Sequence, residues 1–122
     1  MASLSDDTLK KILLQIQQTA VQSQRALNTA KQQIAAKDRE RRILQLTINE
    51  LGQMGTDVNH YKGVGKMFMM VPQAEMNKDL KSQEKELSDD IDSLNKKAKF
   101  LEKQCTDANN QLRDILHHAP KQ

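Results

Sequence analysis

Apolar residues recur every seven positions along both halves of this chain, and that repeat limits its fold more than any other feature. In the first half, Leu13, Ala20, Leu27, Ile34, Arg41 and Ile48 form one series. A second series, Leu9, Ile16, Ser23, Ala30, Lys37, Leu44 and Leu51, is offset from it by three. In the second half, Leu80, Leu87, Leu94, Leu101, Ala108 and Ile115 recur without a break, interleaved with Asn77, Glu84, Ile91, Ala98, Cys105 and Leu112. As a and d positions of a heptad, these series specify left-handed coiled-coil seams. The helix breakers respect the pattern. Gly52, Gly55, Gly63, Gly65 and Pro72 fall between the two repeats, and Pro120 lies beyond the second. Ser5 followed by Asp6 and Asp7 predicts an N-cap with acids in the first turn, "GQMG" (52–55) predicts a stop, and Pro72 predicts a second start. The expected helices are 5–54 and 72–118, each about 70 Å long at ~1.5 Å per residue.

If the chain reverses near Val64, facing residue numbers in an antiparallel pair total about 128. Leu13 then meets Ile115, Leu27 meets Leu101, Ala30 meets Ala98 and Ile48 meets Leu80, so apolar faces apolar and small faces small. The alternative, a parallel homodimer of continuous rods, requires the glycine-rich middle to stay helical. Lys37, Arg41 and Glu84 make part of the seam polar. One reading has their stems packing, their heads in water and a partial Arg41–Glu84 pair; the other has a soft zone that lets the arms flex.

Composition narrows the function. Aromatics are 2% and Trp is absent, so a core built on large rings is not available; charged residues are 29%. The net charge of +3 comes from 19 basic and 16 acidic residues interleaved through both halves, and even the densest basic run, "KDRERR" (37–42), contains two acids. That reads as a solvated helix surface, with no nucleic-acid partner expected. No run approaches the ~20 apolar residues of a membrane span, and "MASLSDDTLKK" has no apolar core of a signal peptide. With a single cysteine, Cys105, the chain reads as cytosolic or nuclear, and cytoplasmic is the expectation. "GVGK" (63–66) fails as a phosphate loop, because His60 stands where the first glycine would be and Met67 where a hydroxyl residue would be. No matched metal-ligand spacing and no nucleophile–base set is present, so neither enzymatic activity nor a cofactor is expected.

The segment "VNHYKGVGKMFMMV" (58–71) is long enough for two short strands around a glycine turn. In its second half Phe68 and Met70 point one way, and Met67, Met69 and Val71 the other. Strands apolar on both faces are buried on both faces, and a lone hairpin cannot do that. Strands from other subunits are therefore required, which makes the protein an obligate part of an oligomer. Large apolar residues also occur off the seam. Leu4, Ile12, Leu14 and Leu116 collect toward the free ends, with Val21 farther along the first helix, whereas Ile43 and Leu46 lie nearer the reversal and would in part pack against the insert. Phe100 is a further off-seam residue.

Helix, one central hairpin carrying "YKGVGKMF" (61–68), then a helix of matching length resembles the beta-type subunits of the prefoldin family. The likeness runs over essentially all of 1–122, read as a single domain with helix 5–54, hairpin 57–71 and helix 72–118. It implies a mainly α fold: a long antiparallel two-helix coiled coil whose one β-hairpin joins an intersubunit β-barrel. It also implies a subunit of a heterohexameric, ATP-independent co-chaperone, partnered by alpha- and beta-type prefoldin subunits. Such a complex captures unfolded chains such as actin and tubulin and passes them to the cytosolic chaperonin. By this resemblance Tyr61, Val64, Met67, Phe68, Met69, Met70 and Val71, with Ile43 and Leu46, belong to the assembly platform. Leu4, Ile12, Leu14, Leu112, Ile115 and Leu116 belong to the client-contacting tip. A tethering coiled coil without chaperone activity is the alternative reading.

Overall fold

The computed structural model describes residues 5–55 and 58–118. The element order is α1 (Asp6–Gln53), β1 (His60–Val64), β2 (Met67–Val71) and α2 (Gln73–His118). The starts of both helices follow local chemistry. Ser5 Oγ accepts from the Thr8 N–H at 3.2 Å and Ser5 O from the Leu9 N–H at 2.9 Å, with Asp6 and Asp7 in the first turn where the helix dipole favours anions. Pro72 directly precedes α2 and its carbonyl accepts from the Met76 N–H at 2.9 Å; the proline's missing N–H costs nothing there.

Every heptad position named above is buried or half-buried, while most positions between them are exposed. The chain divides into two compact units, residues 1–33 with 94–122 and residues 34–93. In the first, Leu27, Ala30 and Leu101 form the buried cluster, with Ala26 and Ala98 packed against it. Three of these five are alanine, small side chains that let two helices pack closely around a thin core. Across the same seam the Cys105 thiol donates to Gln24 Oε1 at 3.3 Å, and within α2 it accepts from Asn109 Nδ2 at 3.7 Å.

In the second unit part of the seam is polar. Lys37 Nζ reaches Asp90 Oδ2 at 3.3 Å, and Gln45 Nε2 donates to Glu84 Oε1 at 2.8 Å. The numbers of the pairs Gln24–Cys105, Lys37–Asp90 and Gln45–Glu84 each total within one of 128, the antiparallel register expected from the sequence. The expected Arg41–Glu84 pair is not formed. Arg41 Nη2 instead binds Asp38 Oδ1 at 3.0 Å, and Arg42 Nη2 binds the other oxygen of Asp38 at 3.0 Å. Asp38 lies one turn back on the same helix, where geometry is fixed by the backbone, so it outcompetes a carboxylate on a separate helix. Glu84 is left to a neutral amide.

The hairpin pairs His60 with Val71, Tyr61 with Met70, Lys62 with Met69, Gly63 with Phe68 and Val64 with Met67. Its turn is Gly65–Lys66. Gly65 has φ +60° and no other residue with positive φ occurs among the described residues, which is the φ pattern of a type II′ turn with glycine at its first central position.

Two predictions follow from this packing. Leu27→Ala lowers unfolding free energy by about 2–3 kcal/mol, the lower part of the core-truncation range because the core is thin, whereas Val21→Ala on the exposed face changes it by less than about 0.5 kcal/mol. Denaturant titrations compare the two, and equal effects would contradict the seam. At the turn, a Cβ on Gly65 meets no atom within 4 Å, so only the backbone opposes it. Gly65→Val costs about 1–3 kcal/mol of hairpin stability through the positive φ. Gly63→Ala meets only Phe68 Cε1 at 3.9 Å and is tolerated. Amide exchange of residues 60–71 reads the difference.

Candidate functional site

The hairpin carries the longest run of consecutive exposed large apolar side chains among the described residues. Cross-strand partners share a face, so Tyr61, Met70, Gly63 and Phe68 lie on one side and Lys62, Met69, Val64 and Met67 on the other. Met67 is 75% exposed, Phe68 78%, Met69 57% and Met70 61%; Tyr61 and Val64 are exposed as well. Only the open end is covered: His60 and its partner Val71 are both buried, and His60 Nε2 is enclosed without a hydrogen-bond partner. Burying the four residues of "MFMM" would gain on the order of 5 kcal/mol, before any cost of association. Methionine is apt for such a surface, being unbranched and adaptable in packing. Lys62 is the one formally charged residue within the two strands.

Ile43 and Leu46, in the same unit, are also exposed. The insert does not cover them, contrary to the partial packing expected from sequence. They lie off the seam, so α2 does not cover them either.

The residues expected at the tip divide into groups. Leu14 and Leu116 are exposed apolar side chains. Leu112 and Ile115 are half-buried seam positions, and Ile12 is half-buried beside the seam. Leu4 lies outside the described residues. The structure adds a feature that the sequence assignment missed. Leu14, Gln18, Val21 and Arg25 of α1 and Asn109 and Leu112 of α2 line an open groove of about 650 Å³. Its signal was present in the sequence, since Leu14 and Val21 are one heptad apart and so share a helix face. The groove is apolar at Leu14, Val21 and Leu112, with glutamine amides and one guanidinium at its border. That suits an extended polypeptide, whose backbone needs hydrogen bonds while its side chains need apolar contact.

Among the described residues no cluster of His, Cys, Asp or Glu is arranged to hold a metal ion, and no helix is long and apolar enough to cross a membrane. The surfaces on offer suit association with other polypeptides.

Comparison with known proteins gives the same picture. A family model described as prefoldin subunit matches residues 14–119. The probable prefoldin subunit 1 of Schizosaccharomyces pombe is 36% identical over 107 residues, spanning 88% of this chain and 96% of that protein. Its counterpart in Dictyostelium discoideum is 33% identical over 92 residues, spanning 75% and 80%. Prefoldin subunit 1 of Homo sapiens is 28% identical over 116 residues, 95% of each chain. The crystal structure of the prefoldin beta subunit from Thermococcus strain KS-1 superposes with a TM-score of 0.81 over 99% of this chain and all of that one, at 17% identity, a likeness of fold. With two long helices, one hairpin between them and a family match over nearly the whole length, the chain belongs to the prefoldin family of chaperone subunits.

Proposed function

We propose that this protein is a beta-type subunit of a heterohexameric prefoldin. In this role its hairpin is completed by strands of other alpha- and beta-type subunits, and its helices hold unfolded polypeptides without ATP. The observation that carries the assembly half is the hairpin's pair of apolar faces, uncovered in the chain by itself. A two-stranded sheet with open edges and two apolar faces is not stable alone in water. Strands from neighbours satisfy both the edge amides and the side chains. Tyr61, Val64, Met67, Phe68, Met69 and Met70 supply this contact, with Ile43 and Leu46 contributing from α1; Val71, expected in the same set, is already covered within the chain.

The capture half rests on Leu14, Leu116 and the groove lined by Leu14, Val21 and Leu112. Exposed aliphatic side chains beside amide-bearing glutamines offer weak, sequence-tolerant binding, which suits a chaperone that must release what it holds. In the cytoplasm the clients are unfolded or nascent chains such as actin and tubulin, and the recipient is the cytosolic chaperonin. No bond is made or broken, so no cofactor or nucleotide is required.

Two experiments separate the halves. Phe68→Asp with Met70→Asp places two carboxylates on one face of the sheet. The variant is expected to drop out of the hexamer while keeping its helix content, as read by native mass spectrometry and circular dichroism; normal incorporation overturns the platform assignment. Leu14→Ser with Leu116→Ser is expected to leave the hexamer intact and to weaken suppression of aggregation of denatured actin by about twofold or more. Full activity of that variant removes the capture assignment.

A further inference from the structure

β2 carries methionine at three of its five positions, Met67, Met69 and Met70, and each of these side chains is more than half exposed. They stand on both faces of the sheet: Met70 shares one with Phe68 and Tyr61, and Met67 and Met69 share the other with Val64 and Lys62. Apolar burial alone does not require methionine there. Valine and isoleucine fit a pleated strand better, and the partner of Met67 on β1 is itself a valine. What methionine adds is a thioether that takes up oxygen, which turns a flexible apolar side chain into a polar one. The other described sulfur atoms are placed differently. Cys105 is buried in the seam with its thiol bonded to Gln24 and Asn109. Met76 is half-buried, and Met54, though exposed, lies outside both strands.

We propose that Met67, Met69 and Met70 are a reversible oxidation site that controls entry of the free chain into its oligomer. The inference rests on the assembly reading of the hairpin. The step is oxygen transfer from hydrogen peroxide. The methionine sulfur gives an electron pair to one peroxide oxygen as the O–O bond breaks, which leaves a sulfoxide and water. The sulfoxide oxygen is a hydrogen-bond acceptor, and a strand covered on both faces by apolar neighbours offers it no donor. Because the three thioethers lie on two faces, neither face of the sheet is spared. Reversal is reduction of the sulfoxide by two thiols through a methionine sulfoxide reductase, which returns the thioether with a disulfide and water. The site is open only before assembly, since strands that complete the sheet cover the thioethers. Oxidised free chains are therefore held out of the complex until they are reduced.

The main test needs no substituted chain. The free full-length chain is partly oxidised with hydrogen peroxide, offered the other subunits, and separated into assembled and excluded pools. Peptide mass spectrometry then reads the sulfoxide at each methionine. Sulfoxide at Met67, Met69 and Met70 is expected to be depleted by about tenfold or more in the assembled pool, with sulfoxide at Met54 equal in both. Methionine sulfoxide reductase with dithiothreitol is expected to return the excluded chains to the complex. Equal sulfoxide at the three positions in the two pools, or no recovery on reduction, overturns the proposal. So does exclusion that tracks Met54 instead, or failure of peroxide to oxidise the three in the free chain. If Phe68→Asp with Met70→Asp is excluded while sulfoxide is evenly distributed, this inference alone fails. If that variant assembles normally, the assembly reading fails and takes this inference with it.

Discussion

A β-hairpin has two faces and two edges to satisfy, and this chain covers little beyond the His60–Val71 end of its own. The remaining side chains of β2 are methionine and phenylalanine, exposed in the isolated subunit, and among the described residues no strand pairs with the outer edge of either β1 or β2. Everything else in the protein is arranged so that this deficit is tolerable. The helices are stabilised by their own seam and require nothing from the sheet. The turn is fixed by Gly65 alone, so the two strands are presented in one register before any partner arrives. An incomplete sheet on a preformed turn is a specific assembly element, because it accepts only strands that match its spacing and its alternation.

The seam shows how a slender pair of helices remains stable without a conventional core. Among the described residues no large side chain is completely buried, and much of the deepest packing comes from Ala30, Ala108, Ser23 and Cys105 around Leu27 and Leu101. Small residues bring the backbones together, which compensates for the limited apolar area of each layer. In the unit of residues 34–93 some of these positions carry Lys37, Arg41 and Glu84, and the cross-seam bonds of Lys37 and Glu84 stand beside the covered Leu44, Leu87 and Ile91. Charged groups at seam positions contribute little to stability, but they disfavour alternative registers in which they would lie unpaired against leucine.

Much of this was legible in the residues. The heptads gave both helices and the register near 128, because seam spacing and antiparallel facing are set by backbone geometry alone. The hairpin was legible through Gly65 and the alternation of "MFMMV". The Arg41–Glu84 pair was not, because choosing between a neighbouring acid on the same helix and one across the seam depends on rotamers that spacing does not specify. The groove was missed for a related reason. Leu112 was recognised as a seam residue and Leu14 as exposed, but a concavity exists only where the two helices flank a space, and Val21 acquires its meaning there. The exposure of Ile43 and Leu46 likewise depends on where the insert lies, which periodicity does not encode.

The central claim is that the hairpin is a sheet completed by other chains. Amide hydrogen exchange of residues 60–71 measures this directly, because an edge strand exchanges freely and a paired one does not. The account predicts rapid exchange at the outward-facing amides in the isolated chain and strong protection in the assembled complex, with the seam around Leu27 and Leu101 protected in both. Equal protection of residues 60–71 in the two states would contradict it.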